Sequence, residues 1–242
     1  MRVTALLVAL WLGLLAPAAA DEFPSNGVKI HYVDMGEGEP VVLIHGAYGS
    51  VATNWVAPGT AGELARTYRV VALDCRGHGR SDKPRSGYGV EMAQDVVRLM
   101  DHLGIPKARV VGYSMGGMIA LKFTVLHPER VERLVLGGMG MLEQGTPLQR
   151  FWKALRPRRS AVPVACLQGF SQLAVTREEV QGLNMPVSVI VGEKDPCREL
   201  YVDKLVSVRP STPVTVIPEA GHITCLVKPK FRSALVADLA VP

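Results

Sequence analysis

Short apolar runs that alternate with amphipathic segments constrain the fold of this 242-residue chain more than any other feature of its sequence. Unbroken runs of Val, Ile and Leu are typical of strands that are buried on both faces of a sheet. Strands that alternate with helices pair mostly in parallel through right-handed crossovers. We therefore expect an α/β fold, with a mostly parallel β-sheet flanked by helices. The runs are Val41–Ile44, Val70–Leu73, Val110–Gly112, Leu134–Leu136, Val187–Val191 and Val214–Ile217.

Two amphipathic segments predict helices in this pattern. Their apolar residues recur at helical spacing. A further run, Val28–Val33, predicts an antiparallel strand at the start of the sheet. Because little sequence lies between Asp21 and Gly27, we expect any strand before it to be vestigial. The helical residues are Met92, Val96, Met100 and Leu103 in the first segment, and Phe231, Leu235 and Leu239 in the second.

The alternation is interrupted once, between Gly137 and Asn184. This interval has no strand-like run, but residues 176–179 form a capping box, which is typical of a helix start. It is too short to bury a core of its own. We therefore expect residues 21–242 to form one domain with a short helical cap, at about 139–184, on the carboxyl edge of the sheet. Phe151 and Trp152 are candidate substrate-binding residues in this cap.

Residues 1–20 have the pattern of a secretory signal peptide. Arg2 precedes an apolar run, Val3–Leu15, and the small residues Ala18–Ala20 fit a cleavage site before Asp21. The run is shorter than the roughly 18 to 20 apolar residues that span a bilayer, so we expect no stable membrane anchor. The expected location is secreted or periplasmic, where disulfides form.

Composition and charge exclude several classes of protein. With 48% hydrophobic and 20% charged residues, the chain can bury a sizeable core and is not intrinsically disordered. The net charge of +5 is too small to predict a nucleic-acid partner. Gly138-Met139-Gly140 lacks the third glycine of a dinucleotide site, and no Cys/His cluster has zinc spacing. We expect no cofactor and no metal, and the oligomeric state stays open.

The string Gly112-Tyr113-Ser114-Met115-Gly116 carries the clearest chemical signal. It is a GxSxG pattern placed between an apolar strand and a segment that we expect to be helical over about 115–126. A tight strand-to-helix turn exposes the serine hydroxyl and directs the helix N-terminus at developing negative charge. Glycines permit this turn because side chains at their positions would clash. Ser114 is therefore the candidate nucleophile.

A nucleophilic serine needs a base and an orienting acid. His222 follows the last strand on a loop at the carboxyl edge, where Ser114 also emerges, and is the candidate base. The other histidines lie on a strand, on helices or in glycine-flanked turns. They are His31, His45, His78, His102 and His127.

The candidate acid is Asp195, which follows the strand Val187–Val191 at its carboxyl end. Asp74 and Asp82 also follow a strand, but they precede Ser114 and belong to a different turn. Glu143 is the weaker alternative. The chain order of serine, aspartate and histidine fits this type of turn.

These motifs together resemble the α/β-hydrolase fold family over essentially all of residues 21–242. They are His45-Gly46 after a strand, the segment Asp74–Ser81, the turn at Ser114 and Gly221-His222. The resemblance implies an oxyanion hole formed by the backbone N–H groups of Ala47 and Met115. It also implies a structural role for Asp74, Arg76 and Ser81, and Tyr48 either lines the acyl pocket or packs. The predicted cap is shorter than those of related epoxide hydrolases and carbon–carbon bond hydrolases, which implies an open site.

The expected activity is hydrolysis of a small-molecule or polymeric carboxylic ester through an acyl-enzyme. The string at Ser114 is also similar to that of cofactor-free haloperoxidases, or perhydrolases, and lactonases and thioesterases share the same machinery. Epoxide hydrolases and haloalkane dehalogenases are disfavoured, because those relatives carry aspartate at the position of Ser114. A non-catalytic binding protein on this scaffold is the alternative from another class, and such proteins commonly lose one of the three residues.

The last expectation concerns Cys197 and Cys225. Cys197 lies two residues after Asp195, and Cys225 lies three after His222. If Asp195 and His222 are hydrogen-bonded, the two loops touch, and a disulfide between these cysteines becomes geometrically feasible. The alternative is that both are small buried hydrophobic residues. Cys75 and Cys166 are expected to be unpaired.

Overall fold

The computed structural model describes residues 19–145 and 161–241, and this part of the chain contains an eight-stranded sheet. The strand order is β1-β2-β4-β3-β5-β6-β7-β8. The pairs β1–β2 and β2–β4 are antiparallel, and every other pair is parallel, which confirms the predicted α/β fold. The strands are β1 (Ala19–Ser25), β2 (Val28–Met35), β3 (Pro40–Ile44), β4 (Arg69–Leu73), β5 (Ala108–Tyr113), β6 (Val131–Gly137), β7 (Val187–Gly192) and β8 (Val214–Ile217).

Helices cover both faces of this sheet and enclose two cores. The helices α2 to α6 contribute to one core, and α1, α7 and α8 contribute to the other. Val110 and Val111 of β5 are both buried and face opposite cores, as expected for a strand covered on both sides. The helices are α1 (Thr60–Leu64), α2 (Val90–His102), α3 (Met115–Leu126), α4 (Val164–Gly169), α5 (Arg177–Gln181), α6 (Asp203–Val208), α7 (His222–Leu226) and α8 (Pro229–Leu239). Short helical turns span Ala52–Val56, Pro128–Arg130, Phe170–Leu173 and Arg198–Val202.

The first strand is longer than the sequence suggested. β1 has seven residues that pair with β2 from Ala19 to Ser25. Phe23 and Ser25 point inward and are buried, and the ring of Phe23 contacts Tyr32 with a centroid distance of 6.1 Å. Its exposed residues are Ala20, Asp21, Glu22 and Pro24, and proline is tolerated at a sheet edge. It therefore lacks the apolar run by which the other strands were recognised.

The strand β8 differs from the expectation of burial on both faces. Val214 is 37% exposed, Thr215 interrupts the apolar run, and Ile217 is the one residue of the four that is buried. Among the described strands, β8 pairs with β7 alone and lies at the edge of the sheet, so no described strand covers its other side. The apolar run therefore predicted a strand correctly but not its position at the edge.

A buried ion pair joins the turn after β4 to α2. The guanidinium of Arg76 donates to both carboxylate oxygens of Asp95 at 2.6 Å, and both side chains are almost fully buried. The hydroxyl of Ser25 donates to the same carboxylate at 2.5 Å, which attaches β1 to α2. The structural role predicted for Arg76 therefore has a specific partner.

Residues 139–145 and 161–184 of the predicted cap are described, and the second of these segments contains α4, the turn Phe170–Leu173 and α5. The capping box is present, because Thr176 and Glu179 each bond the backbone N–H of the other. Phe151, Trp152 and the predicted signal peptide up to residue 18 lie outside the described residues. Within the described ranges, no helix is both long enough and apolar enough to span a bilayer.

Candidate active site

Ser114 sits at the turn between β5 and α3 in a backbone conformation that non-glycine residues rarely adopt. Its φ is 55° and its ψ is −115°. A Cβ atom at residue 112 would lie 2.1 Å from the carbonyl oxygen of Gly116, and one at residue 116 would lie 2.1 Å from that of Ile44. Only glycine fits at either position. Backbone strain of this kind is typical of functional sites, because it must be held in place by the surrounding structure.

The structure brings the three predicted residues into one hydrogen-bonded chain. The Oγ atom of Ser114 lies 2.8 Å from Nε2 of His222. The Nδ1 atom of His222 lies 3.0 and 2.9 Å from the two carboxylate oxygens of Asp195. Because an ionised carboxylate only accepts, Nδ1 carries the proton and Nε2 accepts from the serine hydroxyl. This arrangement can remove the serine proton during attack on a carbonyl carbon.

Burial strengthens the contact between His222 and Asp195. The Asp195 side chain is fully buried, and that of His222 is 11% exposed. The backbone N–H of Cys197 donates to Asp195 at 2.9 Å, which holds the carboxylate in place. A hydrogen bond in such a water-poor environment is stronger than the same bond in water.

The structure has all four cysteines as free, buried thiols, in contrast to the predicted disulfide. Both side chains are fully buried, Cys197 in one core and Cys225 in the other. They therefore match the alternative expectation of small buried hydrophobic residues. Burial raises the pKa of Cys225 to about 12 and also raises that of Cys197, so both are protonated at neutral pH.

Tyr113 is a residue of the site that the sequence analysis missed. Its hydroxyl donates to the backbone carbonyl of His222. Its ring lies 5.8 Å from the imidazole and packs edge to face against Phe231 at 5.6 Å. The position inside the GxSxG string was visible, but the string places no requirement on this residue. The contact depends on the distant α7 and α8.

The predicted oxyanion loop is held by Asn54 and His45. The backbone N–H of Gly46 donates to Oδ1 of Asn54 at 2.8 Å. The ring of His45 accepts from the N–H of Cys75 at 3.0 Å, so its other nitrogen donates to the Gly46 carbonyl at 2.8 Å. These bonds fix the peptide groups on both sides of Gly46, directly before Ala47. Asn54 belongs to no motif, so the sequence did not reveal it.

The second predicted donor, Met115, is the first residue of α3. The N–H groups in the first turn of a helix have no intrahelical acceptor and lie at the positive end of the helix dipole. Gly46, Ala47 and Ser114 line one cavity, so the predicted nucleophile and the Ala47 peptide face the same space. This arrangement can stabilise a negatively charged oxygen.

Asp74 and Ser81 have structural partners. The Asp74 carboxylate accepts from the N–H groups of Val51 and Arg80 at 2.7 and 2.9 Å. Burial opposes ionisation of this carboxylate, but the backbone hydrogen bonds outweigh it and lower its pKa. Ser81 donates to the Asp74 carbonyl at 2.5 Å and accepts from the His31 N–H at 2.8 Å. The turn after β4 is therefore connected to the segment that carries the oxyanion loop.

The alternative acid Glu143 does not take part in the hydrogen-bonded chain. Its carboxylate pairs with Arg177 at 3.6 Å and with Lys204 at 3.3 Å. The fold therefore places Asp195, and not Glu143, beside His222.

A cavity of about 350 Å³ adjoins Ser114 and His222. One wall is the oxyanion loop with the following turn, and the opposite wall is α7 and the residue after it. Tyr48 lines the cavity and is also packed against the core. The lining residues are Gly46, Ala47, Tyr48, Gly49, Thr53, Asn54, Tyr113, Ser114, His222, Ile223, Leu226 and Val227.

Among the described residues, Asp195, Cys197 and His222 form a group with metal-ligand chemistry. Their candidate ligand atoms lie within 4.8 Å of one another. The Asp195 carboxylate and the His222 ring are hydrogen-bonded to each other. The grouping therefore follows from the contact between acid and base.

Comparison with known proteins agrees with this geometry. The model of the α/β-hydrolase fold family matches residues 39–162, just over half of the chain. The chain therefore belongs to the α/β-hydrolase fold family, as its motifs predicted. A solved structure from a study of carboxylesterases of Nitrososphaera gargenis is similar over 91% of this chain and 97% of its own chain, at 21% identity and a TM-score of 0.78. At that identity the likeness shows the fold alone.

Two curated relatives match part of the chain. The dihydrolipoyllysine-residue acetyltransferase component of the acetoin cleaving system of Pseudomonas putida is 39% identical over 65% of this chain. The soluble epoxide hydrolase of Corynebacterium sp. is 39% identical over 50% of it. The aligned region is 43% and 42% of these two proteins, less than half of each.

Proposed function

We propose that this protein is a serine hydrolase that cleaves carboxylic esters. The observation that carries the proposal is the hydrogen-bonded chain from Ser114 through His222 to Asp195, beside an open cavity. Ser114 attacks the acyl carbon while Nε2 of His222 takes its proton. The alcohol leaves with that proton, and a water molecule activated by His222 then releases the acid from the acyl-enzyme. The substrate is a small-molecule or polymeric ester.

The N–H groups of Ala47 and Met115 bind the oxyanion in this proposal, and removal of one such donor typically costs a factor of about 100 to 1,000 in rate. A serine at position 114 argues against epoxide hydrolysis, although one relative is named for that reaction. Perhydrolysis, lactone opening and thioester cleavage use the same groups and are the alternatives.

Hydrolysis of short p-nitrophenyl esters by the purified protein tests the proposal. Ser114→Ala should lower turnover by roughly 10⁴ to 10⁶, the scale found for loss of such a nucleophile. Ser207→Ala, at an exposed serine on α6, is the matched control and should keep full activity. A wild-type protein that turns over no ester and leaves Ser114 unlabelled by a sulfonyl fluoride would instead be a binding protein. Parallel assays with hydrogen peroxide, a lactone and a thioester rank the alternatives.

We also propose that residues 1–20 are removed during export to a secreted or periplasmic location. Cleavage before Asp21 would retain the five β1 residues from Asp21 to Ser25, which pair with β2. N-terminal sequencing of exported protein tests this, and Asp21 is the expected first residue. A protein retained in the cytoplasm with its N-terminus intact would contradict it.

A further inference from the structure

The helix α7, which begins at His222, and the residue after it present apolar side chains at the cavity. Ile223 and Val227 are 73% and 60% exposed, and Leu226 between them is nearly buried. All three line the cavity beside Ser114. Ile223 and Val227 are four residues apart, so they lie on the same face about one helical turn from each other. Exposed aliphatic residues that are contiguous at a cavity indicate a binding surface for an apolar group.

Away from the predicted oxyanion N–H groups, the described lining offers little to a charged ligand. It contains no Lys, Arg, Asp or Glu, and among its polar side chains Asn54 is already bonded to the Gly46 N–H. A carboxylate or an ammonium group would therefore lose its hydration in this cavity without gaining an ionic partner. The described part of the cavity favours a neutral, aliphatic group.

The path of the serine proton shows which half of an ester lies beside α7. When Ser114 attacks, the bond from its Oγ to the acyl carbon forms and the bond from that carbon to the alcohol oxygen breaks. The serine proton passes to Nε2 of His222 and from there to the departing oxygen. That oxygen must therefore lie beside His222, while the carbonyl oxygen lies at the N–H groups of Ala47 and Met115. The group attached to the departing oxygen is the one nearest to α7.

We infer that Ile223, Leu226 and Val227 form the subsite for the alcohol part of the substrate, and that this alcohol is neutral and aliphatic. The inference rests on the proposed function, because it assigns the leaving group of that reaction. It predicts that these residues act during formation of the acyl-enzyme. They should have no part in its breakdown, because the alcohol has then left.

Two ester series separate this subsite from one for the acyl chain. The first series is ethyl, butyl and octyl acetate, and the second is ethyl acetate, butanoate and octanoate. Wild-type kcat/KM should rise along the alcohol series. Ile223→Ser and Val227→Ser should each lower the octyl-to-ethyl ratio in that series about tenfold, the low end of what a well-placed apolar contact discriminates. Breakdown of the common acetyl-enzyme should keep its wild-type rate.

Leu126→Ser is the matched control, because Leu126 is an exposed aliphatic residue at the opposite end of α3 from Ser114. It should leave both series unchanged. Equal ratios in wild type and both variants, or a loss confined to the acyl series, would overturn the subsite. Either result leaves ester hydrolysis itself intact, provided that wild type cleaves ethyl acetate and Ser114→Ala does not. Failure of the proposed function would instead show as no cleavage of any ester.

Discussion

The hydroxyl of Tyr113 donates a hydrogen bond to the backbone carbonyl of His222, so the residue before the proposed nucleophile holds the proposed base. Burial raises the pKa of this phenol well above its ordinary value, and the hydroxyl therefore keeps its proton at neutral and alkaline pH. The ring contact with Phe231 holds the tyrosine against α8. The strand that delivers the serine is thus attached directly to the loop that delivers the histidine.

We predict that Tyr113→Phe lowers kcat for ester hydrolysis about tenfold while the protein stays folded. The substitution removes one hydrogen bond and leaves the His222 carbonyl without that donor, a change of about 1 to 3 kcal/mol. Tyr68→Phe is the matched control, since the Tyr68 hydroxyl donates to the Leu239 carbonyl at 2.9 Å, away from the cavity lining. Thermal unfolding and steady-state rates are measured for both. Equal activity of the two variants would exclude a positioning role for Tyr113.

The sequence was sufficient to predict the parallel sheet and the three residues of the proposed site, because both rest on local patterns. Apolar runs identify buried strands, and Ser114, Asp195 and His222 each follow such a run at its carboxyl end. The carboxyl ends of parallel strands meet at one edge. Topology therefore brings the three together without any knowledge of their side-chain contacts.

The remaining features depend on contacts between distant segments. Asn54 accepts from the backbone of Gly46, 8 residues earlier, and Tyr113 donates to that of His222, 109 residues later. No motif requires an amide or a phenol at their positions. The length of β1 was underestimated because this strand has no apolar run. It is held by the contact of Phe23 with Tyr32 and by the hydrogen bond of Ser25 to Asp95. Such interactions become visible only in the folded chain.

We predict that Asp95→Ala destabilises the fold by about 3 to 5 kcal/mol, because the buried Arg76 guanidinium loses both short bonds to Asp95 and keeps only the longer contact with Glu91, at 3.8 Å, among the described carboxylates. Glu22→Ala breaks a comparable pair with Lys29, but both of those side chains are largely exposed. An exposed pair contributes less than about 1 kcal/mol. Urea unfolding of the two variants measures the difference. Similar urea midpoints for the two variants would show that burial does not determine how much each ion pair contributes to stability.

Stability should fall as the pH drops below neutral because of the buried His78. Burial lowers the pKa of His78 from 6.5 to about 3, and burial also lowers that of His45. Between about pH 6.5 and 3 the unfolded chain therefore binds a proton at residue 78 that the folded chain does not. The free energy of unfolding then decreases with falling pH, by up to about 1.4 kcal/mol per unit for one such group. Above pH 6.5 this contribution is fully present.

The comparison of His78→Gln with wild type, unfolded in urea at intervals from pH 7.5 to 4.5, checks this contribution. The variant should show a shallower loss of stability with acid, whatever its stability at neutral pH. Ser207→Ala, at an exposed residue that does not titrate, should keep the wild-type slope. Parallel curves for His78→Gln and wild type would mean that His78 takes up its proton in the folded state.

The four buried cysteines give the last prediction, which decides between the disulfide expected from the sequence and the free thiols of the structure. Burial raises the pKa of Cys166 to about 12 and that of Cys75 well above its usual value, and a thiol must ionise to react. The native protein should therefore react slowly with a thiol reagent such as dithionitrobenzoate. After unfolding without reductant, four thiols should react if all are free, and two if Cys197 and Cys225 are linked. Exported protein is the required material, since only an oxidising compartment gives the disulfide the chance to form.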